Sequence, residues 1–225
     1  MSFLVIALDG PSGVGKSTVA RLLAQRLDCL YVDTGAMFRC LAWRWQQLGL
    51  SEGESELRQM GENTHIKMEA EHIWCNRTEV TEQIRSETVS TLSSKISRFP
   101  VIRDIMKQQQ RILVYKVRQS GSHAGAVLEG RDIGTVVFPD ADHKFFLVAD
   151  IHERGKRRKK EMEVKGEVVS LEELTAEMLE RDRKDSTRKH SPLKKAEDAV
   201  EIDTTGISVE EQVNRIVEIV NKTIK

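Results

Sequence analysis

The feature that most constrains this chain is an apolar run followed at once by a glycine-rich turn. Residues 3–8 carry no polar alternation, which is typical of a strand covered on both faces in a parallel sheet. Residues 10–17 then read Gly-Pro-Ser-Gly-Val-Gly-Lys-Ser, and apolar residues recur at helical spacing from Ser17 to Leu27. Because the motif lies between a strand and a helix, this order predicts a phosphate-binding P-loop.

The residue types in the loop suit a nucleoside triphosphate. Glycines let successive backbone N–H groups turn towards phosphate oxygens, and the helix that follows adds the positive end of its dipole. Lys16 can reach the β- and γ-phosphates, and the Ser17 hydroxyl can ligate a bridging Mg²⁺. We therefore expect ATP as phosphoryl donor, Mg²⁺ as cofactor, and an ATP-binding set formed by Gly10, Pro11, Ser12, Gly13, Val14, Gly15, Lys16, Ser17 and Thr18.

The remaining pattern predicts an α/β fold. A short strand at 30–32 and a helix at 36–48 continue the alternation, and a long helix after Pro100 precedes further strands at 126–128, 145–148 and 199–202. Residues from about 51 to 98 break this rhythm. Within them, Ile66, Met68 and Ala70 alternate with charged residues, which indicates a hairpin strand that runs to Trp74 and turns at Asn76.

Two helices in the second half of the chain form a predicted hairpin. Residues 151–164 make a strongly basic helix, and Ser170 with Glu173 forms a capping box that opens the next helix, to about residue 184. A second capping box, Ser208 with Glu211, opens the last helix. The predicted fold is a P-loop NTPase-type parallel sheet flanked by helices, with core 1–50, 99–150 and 189–225, an inserted lobe 51–98 and a helical lid 151–188.

Composition narrows the class of protein. The 35 Lys and Arg residues balance the 35 Asp and Glu residues, so the chain lacks the positive field of a dedicated nucleic-acid or membrane-surface binder. Three widely spaced cysteines fit neither a disulfide framework nor a zinc ribbon and favour a reducing cytoplasm. The first apolar run is too short for a signal peptide or a membrane span. We expect a cytoplasmic protein with no nucleic-acid or membrane partner, and a monomer.

The sequence lacks the features expected of a GTPase and of a nucleic-acid motor. A GTPase would be expected to carry Asn-Lys-x-Asp, but residues 221–224 read Asn-Lys-Thr-Ile. A nucleic-acid motor usually needs a larger core and a basic groove, which leaves a small-molecule kinase. Arginines on separate elements fit phosphoryl transfer, which needs positioning and charge neutralisation, although each one singly could form a surface ion pair. The arginines on separate elements are Arg39, Arg103, Arg131, Arg181 and Arg188.

Four motif blocks, read together, carry a family resemblance. After the P-loop come Asp-Thr-Gly-Ala-Met-Phe-Arg at 33–39, Gly-Arg-Asp-Ile-Gly-Thr-Val-Val-Phe-Pro-Asp at 130–140, and Arg-Asp-x-x-Asp-Ser-x-Arg at 181–188. In order and spacing the chain resembles the bacterial cytidylate (CMP) kinases over essentially its whole length. The resemblance implies a nucleoside monophosphate kinase that converts ATP and CMP or dCMP to ADP and CDP or dCDP, with 51–98 as the enlarged monophosphate-binding insert.

The resemblance also implies residue roles. Lys16, Arg131 and Arg188 would be catalytic. Glu129 stands where the family often has Asp, at the position of a carboxylate that holds a magnesium-bound water, and its extra methylene changes its reach. The implied CMP-binding residues are Thr34, Arg39, Arg131 and Arg188 towards the acceptor phosphate, Ser94, Arg103 and Asp132 towards cytosine, and Arg181 with Asp185 towards the sugar.

Alternatives remain at this point. The basic run 154–160 lacks interleaved aromatics, so it reads as a solvated helix face or as a lid that brings Arg154, Arg157 or Arg158 to the ATP. Asp9 could order the P-loop or cap a loop. The rival functions are another P-loop kinase, such as a shikimate or different nucleotide kinase, and a nucleotide-dependent nucleic-acid binder.

Overall fold

The computed structural model describes residues 3–69, 72–164 and 166–223. The strands are β1 (Leu4–Asp9), β2 (Cys29–Asp33), β3 (Ile66–Glu69), β4 (His72–Cys75), β5 (Thr78–Glu79), β6 (Gly125–Gly130), β7 (His143–Val148) and β8 (Val200–Asp203). The α-helices are α1 (Lys16–Arg26), α2 (Thr34–Leu48), α3 (Glu54–Glu62), α4 (Glu87–Ile96), α5 (Pro100–Ser120), α6 (Ile151–Val164), α7 (Leu171–Thr187) and α8 (Val209–Thr223). A 3₁₀ turn covers Gln83–Arg85 and a π-helical turn covers Ile133–Val137.

The main sheet has the strand order β2-β6-β1-β7-β8. The central strand β1 runs parallel to β6, with Ile6 opposite Val127, and parallel to β7, with Leu8 opposite Phe145. Strand β8 continues the sheet parallel to β7. The apolar first run therefore does form a central strand, and the predicted fold of a mostly parallel sheet flanked by helices is confirmed.

Helices α1 and α8 enclose the core of this sheet. Val19 and Leu23 of α1 are fully buried, as are Val213 and Ile216 of α8, and all four belong to the cluster that packs on Ile6 and Leu8. The predicted capping box at the start of α8 is reciprocal. Ser208 Oγ accepts the Glu211 N–H at 3.2 Å, and Glu211 Oε2 accepts the Ser208 N–H at 2.9 Å.

The chain divides into two compact units. Unit 1 consists of the described residues of Met1–Tyr31 and Val117–Lys225, and unit 2 is Val32–Lys116. The predicted insert 51–98 lies within unit 2, and the predicted lid 151–188 lies within unit 1. The three-part division into core, insert and lid stays a prediction.

Unit 2 contains two helices that the pattern did not indicate. Helix α3 lies in the stretch that breaks the α/β rhythm. Its nine residues carry only two buried apolar side chains, Leu57 and Met60, so the sequence shows no clear helical periodicity there. Helix α4 begins after Ser86, whose hydroxyl accepts the Val89 N–H at 3.3 Å. Within α3, Gly61 lies so close to α5 that a Cβ there would come within 2.8 Å of Ile105 Cδ1.

The predicted hairpin is a three-stranded antiparallel sheet, β3-β4-β5. Ile66 and Met68 lie on its half-buried face, and Asn76 turns the chain between β4 and β5 with φ +56°. The predicted alternation also used Ala70 and Glu71, which lie outside the described residues.

Helices α6 and α7 pair as the predicted hairpin. Gly155 permits their close approach, because a Cβ at that position would lie 2.5 Å from Thr175 Cγ2. The capping hydrogen bond from the Glu173 N–H to Ser170 Oγ is present at 3.3 Å. No helix among the described residues is long and apolar enough to cross a membrane.

Candidate active site

The P-loop connects β1 to α1 in a conformation that requires glycine. Gly10, Gly13 and Gly15 have φ values of +154°, +71° and +94°. A Cβ at Gly10 would lie 2.4 Å from the Leu147 carbonyl oxygen, so the loop passes against β7 where only glycine fits. This backbone leads directly into the N-terminus of α1, the arrangement in which N–H groups hold phosphate oxygens.

Lys16 is a buried basic residue at the start of α1. Its Nζ donates a hydrogen bond to the Pro11 carbonyl oxygen at 2.6 Å, which folds the side chain back along the loop. Its pKa is lowered from 10.5 to about 7, mainly by burial and then by the nearby charge of Arg131, against opposing effects of Glu129 and Asp9. The ammonium is therefore placed where an anion would stabilise its charged form.

Asp9, the last residue of β1, fixes the segment that follows Asp132. Its two carboxylate oxygens accept the N–H groups of Ile133 at 2.9 Å and Gly134 at 2.8 Å. Burial raises its pKa from 3.8 to about 6, although these hydrogen bonds act in the opposite direction. Of the two roles left open by the sequence, capping of a loop is the one observed, and the loop is the π-helical turn.

One carboxylate holds two arginines of the sequence-predicted set. Asp185 Oδ2 accepts from Arg131 Nε at 3.1 Å, and Asp185 Oδ1 accepts from Arg188 Nη1 at 3.3 Å. Arg188 Nε also donates to the Ser191 carbonyl oxygen at 2.5 Å. Asp185 is buried, so the structure brings Arg131, Asp185 and Arg188 together as one cluster with a net positive charge.

Glu129 and Asp132 flank Arg131 at the end of β6, and both are buried. The Tyr31 hydroxyl donates to Glu129 Oε1 at 2.7 Å, and the Arg21 guanidinium lies 5.8 Å from the Tyr31 ring centroid. The tyrosine therefore fixes the orientation of the longer glutamate side chain. The negative charge of Asp132 contributes to the raised pKa of Asp9.

Two of the three predicted lid arginines contact the P-loop. Arg154 donates to the Ser12 carbonyl oxygen at 2.9 Å. Arg157 donates to the Val14 carbonyl oxygen at 3.4 Å and to the Thr204 carbonyl oxygen at 2.6 Å. Arg158 is exposed and pairs with Glu161 at 3.1 Å on its own helix, so it is not brought to the loop. Arg181 of α7 is near enough to Lys16 for its charge to lower the pKa of that lysine.

In unit 2, Asp33 organises the start of α2. It accepts the Ala36 N–H at 2.7 Å as the helix cap and pairs with Arg39 at 3.3 Å. Thr34, the first residue of the helix, is buried. Sequence reasoning identified Thr34 and Arg39 but assigned no role to Asp33, which holds the guanidinium of Arg39.

The predicted cytosine readers of unit 2 lie near the junction of α4 and α5. The buried Arg103 donates to the Ser97 carbonyl oxygen at 3.2 Å, and its guanidinium lies 5.3 Å from the Phe38 ring centroid. The Ser94 carbonyl oxygen accepts from the Ser97 hydroxyl at 3.0 Å. Ser94 and Arg103 therefore share Ser97 as a neighbour, and Phe38 provides a flat face for the guanidinium.

Comparisons with known proteins identify the family of this chain. The family model described as cytidylate kinase matches residues 6–222. The chain belongs to the cytidylate kinase family. Its resemblance to that family, first apparent in the four motif blocks, is thereby confirmed.

Relatives named cytidylate kinase match over nearly their full length. One from Geobacter sulfurreducens is 44% identical, covering 97% of this chain and 93% of the relative. Another from Syntrophotalea carbinolica is 46% identical, covering 96% and 92%, and one from Clostridioides difficile is 42% identical, covering 98% and 100%. Among solved structures, an uncharacterized protein from Eubacterium ventriosum aligns with a TM-score of 0.53 at 16% identity, covering 97% of this chain and 98% of that one, which shows the fold alone.

Several side chains of the site carried no role in the sequence prediction. Tyr31, Phe38 and Asp33 contact Glu129, Arg103 and Arg39 as described above. Asp182 accepts a hydrogen bond from Arg154 at 2.5 Å. Asp33, Phe38 and Asp182 stand inside the quoted motif blocks, which is a signal that could have pointed to them, whereas Tyr31 stands outside the blocks.

Proposed function

We propose that this chain transfers the γ-phosphoryl group of ATP directly to CMP or dCMP, giving ADP and CDP or dCDP. The observation that carries the proposal is the preformed P-loop with its buried Lys16, in a chain of the cytidylate kinase family. Phosphoryl transfer needs mainly positioning and neutralisation of charge. The arginine clusters described above supply both, so no covalent intermediate is required.

The P-loop residues 10–18 would hold the triphosphate of ATP. The loop backbone, which turns at its three glycines, the helix N-terminus and Lys16 suit this group, since all three present positive charge or N–H donors. Arg157 contacts the same loop and would act there, whereas Arg158 would reach the nucleotide only after breaking its pair with Glu161.

The residues present also fit a magnesium ion carried by ATP. Ser17 is an exposed residue at the start of α1, and the buried Glu129 carboxylate is held in place by Tyr31. Ser17 would ligate the ion directly and Glu129 would do so through a water, which are the oxygen ligands that Mg²⁺ prefers. When bound, the ion neutralises charge that develops on the phosphates.

Arginines of unit 1 would stabilise the transferring phosphoryl group and the acceptor phosphate. Arg131 and Arg188 are assigned this catalytic role, because Asp185 holds both guanidiniums in fixed positions. Arg181 and Asp185 would also approach the sugar of CMP. In unit 2, Thr34 and Arg39 would approach the acceptor phosphate.

Cytosine would be read by Ser94, Arg103 and Asp132. The base offers an N4 amino donor beside the N3 and O2 acceptors, so a carboxylate can accept from N4 while a guanidinium donates to N3 or O2. Uracil presents O4 and N3–H instead, so the carboxylate would face another acceptor and the guanidinium would face another donor. Such a mismatch can discriminate by about 10⁴-fold, so UMP would be a poor acceptor. A cytoplasmic monomer without a nucleic-acid or membrane partner completes the proposal.

The test is an ADP-release assay with ATP, Mg²⁺ and a panel of acceptors, namely CMP, dCMP, UMP, AMP and shikimate. We expect CMP and dCMP to be phosphorylated with kcat/KM values at least a hundredfold above the other acceptors. A higher kcat/KM with shikimate, AMP or UMP would contradict the proposal. ATP hydrolysis that depends on added RNA or DNA, with steeply salt-dependent binding, would favour the nucleic-acid class instead.

A further inference from the structure

A carboxylate of the predicted lid lies directly on the P-loop. Ser12, the third residue of the motif, donates its backbone N–H to Asp182 Oδ1 at 2.9 Å and its hydroxyl to the same oxygen at 3.0 Å. Asp182 Oδ2 accepts from Arg154 Nη1 at 2.5 Å, and this Nη1 also donates to the Ser12 carbonyl oxygen at 2.9 Å. The three residues form a closed ring of hydrogen bonds, which we call the Ser12 ring.

The ring is sheltered from solvent and electrically balanced. The side chains of Arg154 and Asp182 are 7% and 14% exposed, so their ion pair is screened little by water. Beside it, Gly13 lies against Met178 of α7 and Arg154 of α6. Because Arg154 neutralises Asp182, the carboxylate adds no net negative charge next to a loop built to hold phosphate.

The pattern of bonds separates two roles for this carboxylate. A group that merely occupied the loop in place of a phosphate would need only the N–H of Ser12. The Ser12 ring engages the N–H, the hydroxyl and, through Arg154, the carbonyl oxygen. Both peptide groups of Ser12 are therefore fixed, and charge-assisted hydrogen bonds of this kind are among the stronger ones in proteins.

We propose that Asp182 is a positioning residue for the phosphoryl donor, which acts with Arg154 to hold the P-loop at Ser12 and so links helices α6 and α7 to nucleotide binding. The inference rests on the proposed function only in that the P-loop binds ATP. Arg154 then acts on the donor through Ser12, and the loss of either partner leaves the loop free to leave the binding conformation. The affinity for ATP and ADP should fall, and the KM for CMP should not change.

The primary test is calorimetric titration of ADP with Mg²⁺ into the wild type and Asp182→Asn. The amide keeps the size of the side chain but is neutral and offers one acceptor oxygen in place of two, so it cannot hold Ser12 and Arg154 together. We therefore expect ADP to bind about tenfold or more weakly. Glu177→Gln is the matched control, since Glu177 is an exposed carboxylate on the same helix, and it should bind ADP within twofold of wild type. Wild-type affinity in a folded Asp182→Asn protein would overturn the proposal, and tighter binding would show that the carboxylate competes with phosphate.

A double-mutant cycle tests the ring itself. Arg154→Met should weaken ADP about as much as Asp182→Asn, and the double variant should be no weaker than either, because each substitution opens the same ring. Additive losses would overturn the linkage. If Asp182→Asn does not fold, as judged by its thermal melt, Arg154→Met alone decides, and unchanged ADP affinity in that variant contradicts the proposal.

Steady-state kinetics separate positioning from simple stabilisation of the fold. A positioning role predicts that Asp182→Asn raises the KM for ATP while the KM for CMP stays within twofold. Equal increases in both values would contradict it. Failure of the two proposals is distinguishable, because ADP binding is measured without acceptor. If wild type does not phosphorylate CMP but Asp182→Asn still weakens ADP, the acceptor assignment falls and the Ser12 ring stands.

Discussion

Arg131 donates to Asp185 at 3.1 Å, and the other oxygen of the same carboxylate holds Arg188 at 3.3 Å. An aspartate assigned by resemblance to the sugar is therefore also the anchor of both guanidiniums proposed to be catalytic. Since the cluster keeps a net positive charge after this pairing, it can still attract phosphate.

Asp185→Asn should lower kcat by about 10- to 100-fold, because the neutral amide offers one acceptor oxygen in place of two and at least one guanidinium loses a hydrogen bond worth about 1.5–3 kcal/mol. The KM for ATP should change little. Steady-state kinetics with CMP check this, with Glu197→Gln as an exposed carboxylate control. A kcat within twofold of wild type would show that the arginines are positioned by other groups.

Nucleotide binding should raise the pKa of Lys16, because phosphate restores the charge stabilisation that burial removes. Because burial lowers the pKa of Lys16 to about 7 in the free protein, ATP binding at pH 8 should be accompanied by net uptake of protons. Calorimetry in two buffers of different ionisation enthalpy measures this uptake. Lys16→Met should abolish it, and the same uptake in that variant would assign the proton to another group.

Asp9 should make a component of stability that falls as pH rises. Its folded pKa of about 6 lies above the usual 3.8, so the folded state binds its proton more tightly than the unfolded state does. The contribution is full below about pH 4 and is lost as pH rises through 6, a change on the order of 3 kcal/mol. The check is the free energy of unfolding of wild type minus that of Asp9→Asn between pH 4 and 7. A difference that stays flat or rises with pH would contradict the assignment.

Phe38→Leu should raise the KM for CMP several-fold, because a cation–π contact contributes about 0.5–2 kcal/mol to the placement of the Arg103 guanidinium. Phe38→Tyr keeps the aromatic face and serves as the matched control, with a KM within twofold of wild type. The KM for ATP should not change in either variant. An unchanged KM for CMP in Phe38→Leu would separate the ring from recognition of the base.

Much of the fold follows from local sequence signals. The uninterrupted apolar strand, the glycine positions of the P-loop and the Ser208–Glu211 capping box each specify their structure within a few residues. Helix α3 does not, because its burial depends on two apolar side chains that only tertiary packing makes sufficient. A helix of nine residues with two buried apolar side chains has too few apolar repeats for its periodicity to be recognised from the sequence.

The residues of the candidate site also fall into two groups, those that local motifs predict and those that only the folded structure reveals. Lys16 and Ser17 follow from the motif, and Arg131 and Arg188 follow from the family blocks. The roles of Asp182 and Tyr31 depend on partners 170 and 98 residues away along the chain. No local pattern encodes such a separation, so these hydrogen bonds become visible only when the strands and helices are assembled.

The central claim is that this chain moves the γ-phosphoryl group of ATP to CMP through the P-loop lysine. The most direct measurement uses ATP labelled with ³²P at the γ-phosphate, with CMP as acceptor, and follows the label by chromatography. We expect the label in the β-phosphate of CDP with wild type, and a rate lower by orders of magnitude in a folded Lys16→Met variant. Label released only as inorganic phosphate, or CDP formed at a near-normal rate by Lys16→Met, would contradict the account.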